Sequence, residues 1–169
     1  MASKRAYLGL GSNLGDRRGN LQRALQALEG PALRVMRVSS LYETEPRDLP
    51  GQPWFLNLVA EVETTLFPMQ LLTRGQRVER TLGRTRGVPK GPRTMDIDLL
   101  LYGHAVISTG RLTVPHPRMA ERRFVLEPLA ELAAEHRHPL TGRTVGQLLE
   151  ALTGQAVRRL GPLAEPPRG

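Results

Sequence analysis

The chain has 169 residues, 24 basic against 16 acidic for a formal charge of +8, and no Cys. That length suits one compact domain with its own core, and the missing Cys excludes disulfides, thiol nucleophiles and thiolate metal sites. The opening MASKRAYLGLG lacks the apolar core of about 7–15 residues that a signal peptide carries, and no apolar run approaches the ~20 residues that span a bilayer. A cytoplasmic protein is expected, with a single domain over 1–169, its core at about 6–152 and a tail at 153–169. All basic residues but Lys4 and Lys90 are Arg, whose planar fork of donors grips phosphate bidentately. The bias also fits a GC-rich genome or a heat-adapted host, as do the few Asn and the 14 Pro. Either way the charge predicts affinity for anions.

The elements follow in chain order. Residues 6–10 form a short apolar strand that ends in GSNLG. Asp16 is placed to cap a helix carrying Leu21, Leu25 and Leu28 on one face, which Gly30 and Pro31 stop. Residues 33–41 read as a strand, and 42–53, with three prolines, as a long loop of the functional kind. A strand over 54–65 precedes a second helix, which Pro68 opens and Gly83 ends. The loop 84–93 carries Arg84, Arg86, Lys90 and Arg93. A strand from Asp96, a short hairpin from 105–107 and 111–114, and helical segments near 124–134 and 144–152 complete the list. The order β-α-β-β-α-β predicts an α+β ferredoxin-like sandwich, an antiparallel-rich sheet backed by two helices, with C-terminal helical additions. Whether the tail after Leu152 packs on the domain is not legible.

The run GPRTMDID (91–98) carries the most chemistry, for it holds two of the four Asp residues of the chain. Strand residues i and i+2 share a face, so Thr94, Asp96 and Asp98 line one side and Met95, Ile97 and Leu99 the other. Neighbouring carboxylates repel unless a cation sits between them. Arg93 is one candidate and divalent metal the other, since Mg²⁺ pairs ~3.5–4 Å apart recur in phosphoryl chemistry. The segment GLGSNLG (9–15) lacks the spacing of a dinucleotide fingerprint, because Leu14 stands where the third Gly belongs, and no P-loop is present. It reads as a strand-to-helix turn. Phe55 and Asn57 share a strand face, an arrangement that suits stacking on a flat heterocycle and bonding to its edge, or simply a packed ring and a capping amide. His116, between two prolines and near Arg111, Arg118, Arg122 and Arg123, is a phosphate contact or a structural His. His104, His136 and His138 read as solvated. Gln76 and Glu79 share a helix face, either functional or plain solvent face.

These residues resemble a known family, the 6-hydroxymethyl-7,8-dihydropterin pyrophosphokinases of folate biosynthesis. The matching stretches are GLGSNLG (9–15), SSLYETEP (39–46), FLN (55–57), GPRTMDID (91–98) and LTVPHPRM (112–119), in family order over about 6–152. The resemblance implies a ferredoxin-like fold and transfer of pyrophosphate from ATP to the pterin hydroxymethyl group, releasing AMP by in-line attack on the β-phosphorus. It implies Asp96 and Asp98 as ligands of two Mg²⁺ ions, and Arg84 and Arg93 as catalytic groups gripping the triphosphate. Gln76, Glu79, Arg86, Arg111, Thr113, His116 and Arg122 resemble further ATP contacts, and Thr44, Phe55, Asn57, Asp96 and Phe124 the pterin pocket. The implied partners are ATP and the pterin, with neither nucleic acid nor membrane, for a chain that works as a monomer. Lys90 stands where some members carry Trp, in a basic loop one residue shorter. Glu45 and Arg47 replace apolar neighbours of Thr44, and Phe55 replaces a common Tyr.

Two rival classes differ in what they require. An RNA-recognition module on the same fold needs exposed aromatics on its central strands, where this chain places two Asp and has few aromatics in all. A metal-dependent hydrolase using the Asp pair lacks an evident His or Glu ligand cluster.

Overall fold

The computed structural model describes residues 2–45, 51, 53–83 and 94–163. Strand β1 (Lys4–Ser12) buries Ala6, Leu8 and Leu10 on one face and Tyr7 on the other. It runs past the expected Leu10, so Gly11 and Ser12 are strand residues and not part of a turn. Helix α1 (Arg17–Leu28) starts where Asp16 predicts, its carboxylate accepting the Gly19 N–H at 3.0 Å. That bond satisfies one of the donors a helix start leaves open.

The expected strand over 33–41 is two, β2 (Leu33–Val38) and β3 (Leu41–Thr44), and the second takes Tyr42 to Thr44 out of the expected loop. Both pair antiparallel with β4 (Phe55–Thr64). Ser39 makes the joint. Its N–H donates to the Val59 carbonyl and its hydroxyl accepts the Val59 N–H, both at 2.9 Å. The hydroxyl stands in for a strand carbonyl, so the chain bends with the ladder still satisfied.

Helix α2 (Pro68–Thr81) carries Pro in its first turn as expected, and β5 (Asp96–Tyr102) pairs antiparallel with β1. The hairpin is β6 (Ile107–Ser108) with β7 (Thr113–Val114), joined through a cis Val114–Pro115 bond to a 3-10 turn (Met119–Glu121) and α3 (Arg123–Ala133). Helix α4 (Val145–Glu150) opens on a capping box of Thr144 and Gln147. The tail packs: β8 (Val157–Gly161) pairs antiparallel with β3, and Leu163 is buried against the α1 side.

Among the described residues the main sheet runs β5-β1-β4-β3-β8, with β2 also on β4. Taking β2 and β3 as one bent strand, this is the ferredoxin-like arrangement, with β1 and β4 central. Leu21, Leu28, Leu71 and Val78 of α1 and α2 cover one face, over Leu8, Leu10, Leu58 and Val62. Met119, Leu126, Leu129 and Val145 cover part of the other, over Tyr7, Val59, Leu100 and Leu101. The remaining part of that second face is open.

Glu61 is a buried charge that strand alternation hides. It is 2% exposed on β4, accepting the Tyr7 hydroxyl at 3.3 Å, paired with Arg5 at 3.1 Å and with the Arg37 Nε. Arg37 also donates to the Leu132 carbonyl at 2.6 Å, so the carboxylate ties β1, β2 and β4 to the end of α3. Both guanidiniums are more than half exposed, which screens the pairing. Glu61→Ala is therefore expected to cost about 2 kcal/mol, chiefly from the orphaned Tyr7 hydroxyl. Urea unfolding measures this, and an unchanged midpoint would refute it.

Candidate active site

The open part of the second sheet face is floored by glycine. The register sets Gly11 between Asn57 on β4 and Asp96 on β5, and Gly9 between Val59 and Asp98. Paired strand residues share a face, so both carboxylates and the amide point the same way, into a cleft of about 460 Å³. Phe55 and Thr44 line it from the β3–β4 side, and Arg118, Glu121, Arg122 and Phe124 from the segment that leads into α3.

The amide of Asn57 is held in place. Its Nδ2 donates to Thr44 Oγ1 at 2.8 Å, with both residues buried. Its Oδ1 lies over Gly11, where a Cβ would approach within 2.6 Å. Phe55 and Phe124 are half-buried and both face the cleft. The Arg122 guanidinium sits over the Phe124 ring, 5.5 Å from its centre, within the range of a cation–π contact.

Asp96 and Asp98 are half-buried at the β5 side of the cleft. Between them the Ile97 N–H, on the outer edge of the sheet, donates to Glu79 Oε2 at 2.9 Å. Glu79 is 3% exposed, so it is no solvent face; α2 uses it to satisfy an edge strand and to anchor the Asp-Ile-Asp backbone. Gln76, one turn earlier, is half-buried. His116 donates its backbone N–H to the Leu100 carbonyl at 2.9 Å, and its Nδ1 accepts the Arg118 N–H at 3.2 Å. Burial above all, then the Arg122 and Arg118 guanidiniums, hold its imidazole below the ordinary histidine value, against the pull of Asp96. His116 is thus neutral beside a carboxylate and an arginine of the cleft, and the Arg118 bond matches that form.

The structure brings together Thr44, Phe55, Asn57, Asp96, Asp98, Arg122 and Phe124 around one cleft, with His116 at its border. Gln76, Glu79, Arg111 and Thr113 lie outside its lining, the last two exposed on or beside the hairpin. Arg84, Arg86, Lys90 and Arg93 fall outside the described residues. Sequence reasoning missed Gly9 and Gly11 as cleft residues, although the GLGSNLG motif had marked them. It also took His138 as solvated, whereas that ring is 6% exposed, its Nδ1 accepting the Leu140 and Thr141 N–H groups at 3.2 and 3.3 Å. His136 is half-buried and stacks on exposed His104 with ring centres 4.5 Å apart.

The described residues hold no cluster of three or more His, Cys, Asp or Glu groups suited to a metal. Two oxygen donors on one strand face are nonetheless the donor set Mg²⁺ uses with phosphates, since it takes one or two carboxylates and fills its octahedron from substrate and water.

A family model described as 7,8-dihydro-6-hydroxymethylpterin-pyrophosphokinase (HPPK) matches residues 7–134. The chain is 47% identical over 143 residues to the 2-amino-4-hydroxy-6-hydroxymethyldihydropteridine pyrophosphokinase of Bacillus subtilis, covering 84% of this chain and 86% of that protein. Identity to the namesake of Pseudomonas aeruginosa is 44% over 158 residues, 93% of this chain and 97% of that one. It is also 38% identical to the folic acid synthesis protein fol1 of Pneumocystis carinii, over 92% of this chain but only 21% of that longer protein. Among solved structures, an HPPK-DHPS in complex with substrates superposes with a TM-score of 0.69 at 13% identity, over 89% of this chain and 43% of that one. Plasmodium falciparum HPPK-DHPS with pteroate gives 0.70 at 16%, over 88% and 42%. Those two likenesses speak for the fold alone, and the chain spans less than half of either polypeptide. The family match over most of the chain and the near full-length bacterial relatives settle the assignment: this chain belongs to the 7,8-dihydro-6-hydroxymethylpterin-pyrophosphokinase family.

Proposed function

We propose that the glycine-floored cleft is where this chain performs the reaction of its family. It transfers the pyrophosphoryl group of ATP to the hydroxymethyl group of 6-hydroxymethyl-7,8-dihydropterin, releasing AMP, a step of folate synthesis. The observation that carries the assignment of the site is the pairing across Gly11, with the Thr44-bonded amide of Asn57 on one side and Asp96 on the other.

The division of labour follows from the side chains. Phe55 and Phe124 hold the flat pterin between them. Asn57, fixed by Thr44, reads the polar edge of the ring, and Asp96 at the far side of Gly11 faces the end that carries the hydroxymethyl group. Asp96 and Asp98 would hold two Mg²⁺ ions, which would supply charge to offset the phosphates and a lowered pKa for the attacking hydroxyl. The chain's own part is to set that hydroxyl in line with the departing AMP oxygen, since phosphoryl chemistry of this kind is mostly positioning. Arg122, and in the basic loop Arg84, Arg86 and Arg93, balance the triphosphate charge, while neutral His116, Thr113 and Arg111 border the nucleotide. Glu79 and Gln76 act from α2, Glu79 by fixing the backbone between the two Asp. Water must be kept out during transfer, or ATP would simply be hydrolysed.

The chain works as one domain and as a monomer in the cytoplasm, on small molecules and not on nucleic acid. Among the described residues no helix is long and apolar enough to cross a membrane. Two carboxylates on the open sheet face argue against an RNA platform, which would need stacking rings there. The deciding experiment incubates the chain with ATP, Mg²⁺ and the reduced pterin and follows the nucleotide product. AMP with pterin diphosphate is expected. ADP, or RNA binding without AMP, would overturn the reading.

A further inference from the structure

Four bonds join the C-terminal segment to the wall of the cleft. Gln155 sits between α4 and β8, and its Oε1 accepts the Arg123 N–H at 3.0 Å while its Nε2 donates to the Glu121 carbonyl at 2.8 Å. One amide thus bridges the residues on both sides of Arg122. The Arg123 N–H opens α3, a donor with no partner inside the helix, and Arg122 offers no side-chain cap. Gln155 supplies that cap from 32 residues away. It does so with a φ of 56°, the only non-glycine residue with positive φ among the described residues, directly after Gly154 at 75°. Side chains rarely adopt that conformation and hold it only where the surroundings demand it. The Arg123 side chain completes the joint by donating to the Gly154 and Leu152 carbonyls at 3.0 and 3.1 Å.

We propose that Gln155 is a positioning residue for substrate binding: its amide clips the backbone around Arg122 and thereby sets where the Arg122 guanidinium and the Phe124 ring meet the substrates. This rests on the pyrophosphokinase reading of the cleft. Arg122 and Phe124 flank Arg123 at the junction between the 3-10 turn and α3 and lean on each other, so a shift at the junction moves both. Without the clip the Arg123 N–H and Glu121 carbonyl turn to water, the first turn of α3 frays, and the aromatic wall must be ordered anew by each incoming pterin. That ordering weakens binding and leaves the phosphoryl step itself untouched.

The test compares the intact chain with Gln155→Ala and Gln155→Gly by steady-state assay, thermal melting and amide hydrogen exchange. Both variants are expected to raise the pterin KM roughly fivefold, the scale of one lost hydrogen bond, with kcat held within about twofold. Exchange at the Arg123 amide should quicken in both. The glycine variant separates the amide from the backbone, because glycine accepts the left-handed φ without strain. A wild-type KM in either variant, or a kcat loss that matches the KM change, overturns the proposal. If the wild-type chain forms no AMP, the reaction assigned to the cleft fails. The clip is then judged on exchange alone, and unchanged protection of the Arg123 amide in Gln155→Ala sinks it.

Discussion

Asp96→Ala and Asp98→Ala are each expected to lower turnover by about three orders of magnitude while leaving the fold intact. The two carboxylates share one face of β5 and open into the cleft. Holding a cation against phosphate is worth several kcal/mol at the transition state, and each ~1.4 kcal/mol is tenfold in rate. Both side chains are only half-buried, so stability should change by no more than about 1 kcal/mol. Their backbone keeps its anchor, for the Ile97 N–H bond to Glu79 does not involve either side chain. AMP formation at saturating ATP and Mg²⁺ reads the rate, and urea unfolding reads the fold. Two variants with wild-type turnover would remove the metal assignment. A loss of turnover that tracked unfolding would reassign the pair to structure.

Gly11→Ala is expected to raise the pterin KM about thirtyfold. A Cβ at Gly11 would lie 2.6 Å from Asn57 Oδ1 and 3.6 Å from the Phe55 ring. The first distance forces something to move. Asn57 is short and buried and spends its Nδ2 on Thr44, so it can yield only by breaking that bond or by tilting β4. An amide pushed out of place inside a buried site costs about 2 kcal/mol, which converts to roughly thirtyfold in affinity. Gly9→Ala is the control. Its Cβ would meet Leu100 methyl carbons at 3.5 Å, ordinary van der Waals contact, and its effect should be several times smaller. Equal losses from the two substitutions would show that the floor matters only as empty volume and that the amide is not the target.

Much of this was legible in the chain because the deciding forces are local. Asp16 announces its helix through a side chain that reaches three residues ahead, and Pro68 opens the second by a fixed φ. The shared face of Asp96 and Asp98, like that of Phe55 and Asn57, follows from strand alternation alone. What escaped depends on partners distant in sequence. Ser39 reads as one more strand residue until Val59 lies opposite and turns its hydroxyl into a substitute carbonyl. The segment VRRLG, with two arginines at its centre, a terminal glycine and a proline after it, has little strand signal until the edge of β3 offers a ladder. Glu61 looks like an outward charge on an alternating strand, and only the packing of α3 makes that side an interior. Gly9 and Gly11 were conspicuous but ambiguous, because glycine marks turns and open strand floors alike.

The bare floor also bears on how the cleft could escape an inhibitor. A ligand resting on Gly9 and Gly11 touches peptide atoms, and substitution can add bulk there but cannot withdraw what the ligand grips. Added bulk at Gly11 strikes the Asn57 amide, and under the proposed pterin-edge role of that amide resistance by that route costs activity. The adaptable positions are the ring walls, Phe55 and Phe124. Compounds that draw their affinity from the floor and ask little of the rings would leave drug resistance the fewest openings.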